Sequence, residues 1–244
     1  MWRAMMGVVY VVVAMFSLLS VGQSAPVTSC ESLIQPLQIQ GRDQLLGKWT
    51  YLAESTDITG SKLLTKMFVE SVWGKFTAAN ESDAMNLYQS QKMFGRCFSV
   101  TFKLTLKDNT IYMEQPYNAS ATLLNTGCSD CLVFYSKYNT GSGTYSGLQF
   151  LSRRNKVSDA ELQEFVKQAQ CLNLPSPAIL DPEKGLCPDE SSTQDTETVD
   201  LTSVMTDINM DEVFNIFDKI MNSQSGMKTL LKLITSDITG FKQT

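Results

Sequence analysis

The sequence contains no histidine. That excludes Ser-His-Asp and Cys-His catalytic arrangements and every histidine-ligated zinc site. A basic excess is also missing: 20 Lys+Arg stand against 25 Asp+Glu, a net charge of −5, with no basic cluster. Nucleic acid is therefore not an expected partner. Beyond the first two dozen residues there is no long apolar run, so no transmembrane segment is expected in the mature chain. Nothing in the remaining residue types is arranged for carboxylate or lysine chemistry, and the chain reads as a non-enzyme.

The one long apolar run, Met5 to Val21, follows the lone charge of Arg3 and precedes the small residues Gly22 and Ser24. This reads as a signal peptide over residues 1–24, and it predicts a secreted, extracellular protein. Charge then divides the rest. Residues 25–187 balance 15 basic against 15 acidic residues, whereas 188–244 hold 4 basic and 10 acidic. The six cysteines, Cys30, Cys97, Cys128, Cys131, Cys171 and Cys187, are an even set in a secreted chain and read as disulfides. Cys128-Ser-Asp-Cys131 has redox-motif spacing but precedes a β-rich run, which favours a local structural bridge.

The clearest local signal is Cys97 to Lys107. Phe98, Val100, Phe102, Leu104 and Leu106 alternate with polar residues, the period of a half-buried strand. Asp108-Asn109 breaks the run and Thr110 to Gln115 resumes it, predicting a hairpin. Further strands are expected at Lys48–Glu54, Met67–Ala78, Met85–Phe94, Ser120–Asn125, Leu132–Tyr138 and Tyr145–Arg153. Eight short strands divided by turn-rich stretches predict an all-β antiparallel barrel or sandwich. Ser158 and Glu161 form a capping box ahead of Leu162, Phe165, Val166 and Ala169, so one helix follows the last strand and packs outside it. Pro188 to Ser203 is acidic and Ser/Thr-rich, and is expected to be a flexible linker. Two amphipathic stripes come next, one over Val213, Phe214, Phe217, Ile220 and Met221, the other over Met227, Leu230, Leu231 and Ile234. This acidic helical tail is expected to pack on the protein, self-associate or contact a protein or lipoprotein. Neither folding nor ligand binding should require it.

Gly47-Lys48-Trp49 opens the first strand and resembles the Gly-x-Trp signature of the lipocalins. Leu151-Ser-Arg153, leading into Val157-Ser-Asp-Ala-Glu-Leu162, resembles the third lipocalin motif, whose arginine stacks on that tryptophan. Ser129-Asp130-Cys131 stands where the family has Thr-Asp-Tyr: Asp130 matches and the tyrosine does not. The resemblance implies an eight-stranded up-and-down barrel with a C-terminal helix outside, and assigns Gly47, Trp49, Asp130 and Arg153 to the barrel base. Gly47-Lys-Trp-Thr-Tyr51, Glu161-Leu-x-Glu-Phe165 and the spacing from Cys171 to Cys187 are most similar to alpha-1-acid glycoprotein, apolipoprotein M and fish plasma proteins that bind tributyltin, saxitoxin and tetrodotoxin. By that likeness Cys30 pairs with Cys171 and Cys97 with Cys187, leaving Cys128 with Cys131.

The barrel implied by the resemblance holds one small ligand. Alternation points Tyr51 and Ala53 inward from the first strand, with Phe98, Val100, Phe102 and Leu104 from the fourth. The resemblance aligns Val133 and Tyr135 inward from the seventh, and Gln149 and Leu151 complete the set. The expected partner is a small hydrophobic or amphipathic molecule, with no metal and no cofactor. The alternative function is an acute-phase-like regulatory plasma glycoprotein acting through protein–protein contacts. A lipocalin-type synthase would need a free thiol. Asn80-Glu-Ser82 and Asn118-Ala-Ser120 are sequons in expected turns, so both asparagines are candidates for N-glycosylation.

Overall fold

The computed structural model describes residues 29–140, 143–189 and 198–207, with isolated positions between 209 and 223. The expected signal peptide at 1–24 and the tail stripes at 213–221 and 227–234 lie outside the described residues, apart from single positions in the first stripe. Among the described residues no helix is long and apolar enough to cross a membrane.

Eight antiparallel strands form a closed ring: β1 (Gly47–Thr56), β2 (Val69–Ala78), β3 (Ala84–Met93), β4 (Arg96–Lys107), β5 (Thr110–Met113), β6 (Asn118–Leu124), β7 (Cys131–Thr140) and β8 (Gly143–Ser152). Each pairs with the next, and β8 closes onto β1. The expected alternation of β4 holds over its second half, whereas at its start Cys97 and Ser99 are buried and Phe98 and Val100 only partly so. Asp108 and Asn109 both take positive φ, 48° and 64°, in the turn to β5. A two-residue turn of that hand matches the twist of the strands it joins. Asn109 also closes the bottom of the ring: its side-chain amide donates to the Leu37 carbonyl at 3.0 Å and accepts from the Ile39 N–H.

A short helix α1 (Cys30–Leu33) precedes the ring. Between β1 and β2 lies a helix that the strand pattern does not predict, α2 (Ser61–Phe68), which claims Met67 and Phe68 from the expected second strand. The capped helix is α3 (Asp159–Cys171), and both halves of its box are formed. Its apolar stripe lies on the outer wall, where Phe165 stacks on Phe150 with ring centroids 5.2 Å apart. Ala169 and Phe165 share that outer cluster with Leu52, Ala53, Val133 and Leu148. The core thus has a part inside the barrel, a part between wall and helix, and a smaller third cluster of Trp73, Cys97 and Cys187 outside β2 and β4.

Three disulfides brace this shell. Cys30–Cys171 ties α1 to the end of α3, Cys97–Cys187 pins the returning segment to β4, and Cys128–Cys131 closes the turn before β7. The returning segment adds β9 (Ala178–Ile179) to β1, and the Trp73 indole donates to the Cys187 carbonyl at 2.9 Å.

The expectation of a flexible linker is corrected over its last residues. Thr198–Asp200 forms β10, a parallel addition to β4, and Thr202–Asp207 forms a short helix, α4. β5 pairs only with Thr105–Lys107 of β4, so residues nearer the start of β4 present an open edge on that side. An edge bonds through backbone groups alone, and a polar segment satisfies it as well as an apolar one. Thr202 continues the contact, its hydroxyl accepting the Thr101 N–H at 2.9 Å. A chain ended at Pro188 is expected to keep all three disulfides and bind ligand within a few-fold, since every bridge closes before that residue. With the β4 edge bared, it is also expected to self-associate with rising concentration in sedimentation experiments. Failure to form the three disulfides would contradict this.

Candidate functional site

The base of the barrel is a stack built on Trp49. The Arg153 guanidinium carbon sits 3.5 Å from the centre of the Trp49 ring system. Its nitrogens donate to the carbonyls of Lys48 at 2.8 Å and Leu46 at 2.6 Å. The indole N–H donates to the Leu45 carbonyl at 2.7 Å. Gly47 makes the stack possible: its φ is +95°, and a Cβ there would lie 2.8 Å from an Arg153 nitrogen. A side chain there would be strained at that φ and would push the Arg153 guanidinium off the ring.

Asp130 touches this stack only through its backbone carbonyl, which accepts the Arg153 N–H at 3.0 Å. Its carboxylate receives two hydrogen bonds from Arg154, at 2.7 and 2.8 Å, and the same guanidinium reaches Glu161 at 2.8 Å. Arg154 thus joins the Cys128–Cys131 turn to the start of α3, a role that sequence reasoning missed. The signal lay in two acidic residues, Asp130 and Glu161, flanking a strand-end arginine pair. The Arg154 guanidinium and the bonds to Ser158 hold the Glu161 carboxyl down at about 2, and the Arg154 bonds also lower Asp130. Cys128, Asp130, Cys131 and Glu161 crowd together in the manner of metal ligands. Here the sulfurs are bonded to each other and the carboxylates to Arg154.

Above the base lies a cavity of about 210 Å³. Phe76 and Phe134, stacked with centroids 6.1 Å apart, form part of its wall with Leu87, Phe102, Leu104 and Ile111. Gln89, Ser120, Ser136, Gln149 and the tyrosines 51, 117 and 138 supply polar groups. That is the usual make-up of a small-ligand site, an apolar wall with a few placed polar groups, in a space somewhat below the ~300–1,000 Å³ of drug-sized pockets.

Of the residues expected to point inward, Tyr51, Phe102, Leu104 and Gln149 line this cavity. Leu151 belongs to the interior core below it, with Trp49. Phe98 and Val100 lie opposite Gln91 and Gln89, nearer the far end of β4. Val100 borders a separate hollow of about 360 Å³ between β4, the β5–β6 connection and α4. Three assignments are corrected. Val133 and Tyr135 pair with Phe150 and Leu148 and pack beneath α3, while Phe134, Ser136 and Tyr138 face the cavity. β7 is apolar on both faces because the outer one is covered by a helix, so alternation carries no parity there, and a one-residue slip reverses every side chain. Ala53 also points outward, because a bulge between Tyr51 and Ala53 shifts the register with β8. The Asn80 and Asn118 side chains are both exposed.

No family model matches the sequence, and no curated protein matches it. Among solved structures it is similar to that of the siderocalin Ex-FABP, a protein described as functioning through dual ligand specificities. The TM-score is 0.53 at 18% identity, over 60% of this chain and 99% of the other. At that identity the likeness speaks for the fold alone. Together with the closed ring of eight antiparallel strands and the helix packed outside it, the likeness makes the fold of this chain the lipocalin fold.

Proposed function

We propose that this protein is a secreted carrier that transports or sequesters a small lipophilic or amphipathic molecule inside its barrel. The observation that carries the reading is the cavity of about 210 Å³ inside the strand ring, apolar in its wall yet furnished with amides and hydroxyls. The structural neighbour, named for dual ligand specificities, supports ligand binding by a barrel of this kind. Pairing of Cys30 with Cys171 and Cys97 with Cys187 supports the narrower likeness to alpha-1-acid glycoprotein, apolipoprotein M and the fish toxin-binding proteins. All six cysteines are in disulfides, which removes the thiol that a synthase of this fold would need. Exposure of Asn80 and Asn118 supports glycosylation at both.

Titration with N-phenyl-naphthylamine, a neutral hydrophobic fluorophore, tests the reading. One molecule per chain is expected to bind and to be displaced by other amphiphiles. Ala119 lines the cavity from β6. Ala119→Trp should fill the space and weaken binding by about tenfold or more, at an overpacking cost of about 1–3 kcal/mol. Absence of stoichiometric binding in the wild type would favour the effector reading, in which protein contacts carry the function.

A further inference from the structure

The bulge in β1 turns a carboxylate into the barrel. Strict alternation from Tyr51 would send Ala53 inward and Glu54 to the outside. With Leu52 as the extra residue, Ala53 instead joins the outer core and Glu54 pairs in register with Gln149, an inward residue. Bulges commonly serve to re-aim a side chain in this way. Glu54 lines a second cavity of about 190 Å³, whose wall shares Tyr117, Tyr138 and Gln149 with the main one. The two chambers are therefore adjacent.

The carboxylate there is poorly compensated. The Thr65 hydroxyl of α2 donates to it, and among the described residues no lysine or arginine forms an ion pair with it. The titratable groups facing it are Tyr51 on the same strand, Tyr117 ahead of β6 and Tyr138 on β7. Burial holds all three phenols above their ordinary value, so they stay neutral at physiological pH and offer no positive charge. Gln149, opposite on β8, is neutral. Burial likewise raises the Glu54 carboxyl, against the Thr65 hydrogen bond. A half-buried carboxylate with one hydroxyl donor and, among the described residues, no cation paired with it carries part of the desolvation cost of a buried charge, which an entering cation would offset. Aromatic rings beside it add attraction for the same charge.

We propose that the second chamber holds the cationic head of an amphipathic organic amine, its ammonium on Glu54 and its apolar chain running past Tyr138 and Gln149 into the main cavity. This rests on the reading that the barrel holds a ligand. It predicts a preference that the main cavity alone would not show: cation over neutral, and neutral over anion, for equal chains.

The test is displacement of N-phenyl-naphthylamine from the full chain at neutral pH by octylammonium, octanol and octanoate. Octylammonium is expected to bind about tenfold or more tighter than octanol, the scale of one charge-assisted hydrogen bond, and octanoate weakest. Glu54→Gln should bring octylammonium and octanol to near parity while octanol affinity stays as in the wild type, which shows that the barrel is intact. Should that variant not fold, the wild type still decides. As pH falls through the raised Glu54 value, octylammonium should weaken and octanol should not. Equal binding of octylammonium and octanol by the wild type, or a preference that survives Glu54→Gln, overturns the inference and leaves the carrier reading standing. Displacement by none of the three, with no fluorophore bound, overturns the carrier reading itself.

Discussion

Replacing Trp49 with alanine is expected to cost about 3–5 kcal/mol, the range for a large aromatic lost from a packed core. Trp49 is 4% exposed, and its indole plugs the barrel end with its N–H satisfied by Leu45. Arg153→Ala should cost about 1–3 kcal/mol, because the Leu46 and Lys48 carbonyls lose their donors and the indole loses its cover. The two losses are not independent. Without the ring, the guanidinium has nothing to lie on; without the guanidinium, the ring face is open to water. The double variant should therefore cost less than the sum of the singles by about 0.5–3 kcal/mol. Urea midpoints of the two singles and the double measure this. Strict additivity would mean that the stack is a neighbourhood and not a unit.

Removing the disulfides one at a time should produce an equally large and ordered effect. Sequence separations of 141, 90 and 3 residues give losses of about 5, 5 and 2 kcal/mol in the loop-entropy model. The packing around them agrees with that order. Cys30–Cys171 fastens α1 to the helix whose Phe165 anchors the outer core, and Cys97–Cys187 holds the returning segment over Trp73. Cys128–Cys131 braces a turn that Arg154 already ties to Asp130 and Glu161. Paired serine variants of the two long bridges should melt well below the wild type, and Cys128→Ser/Cys131→Ser only slightly below. The reverse order in thermal melts would show that the short bridge carries strength the loop model does not see.

Legibility in the sequence depends on whether a side chain reports on only one neighbour. β4 was legible because the residue types on its outer face are largely polar, and its partners and turn came with it. The capping box of α3 is local chemistry, complete within Ser158 and Glu161. The base stack was legible through Gly47, Trp49 and Arg153 together, since each residue type answers a specific need of the other two. The candidate ligand wall was harder. Leu52 and Ala53 are both apolar, so nothing in their identities marks the bulge that sends Ala53 out and Glu54 in. β7 has a helix over its outer face, and Val133 looks as interior as Phe134. β10 escaped because its bonds to β4 are made by backbone groups, to which the acidic, hydroxyl-rich side chains of its neighbourhood give no clue.

The central claim, that a small molecule occupies the interior of the barrel, is tested most directly by mapping amide chemical shifts during titration with N-phenyl-naphthylamine. The shifts should cluster at Tyr51, Phe102, Ala119 and Phe134, which surround the cavity from four strands. Residues on the outer wall beneath α3, Val133 and Phe150 among them, should move far less. Leu63, Met67 and Phe94 offer exposed apolar surface outside the cavity. Shifts confined to those residues, with the four interior positions unmoved, would place the ligand on the surface and contradict the account.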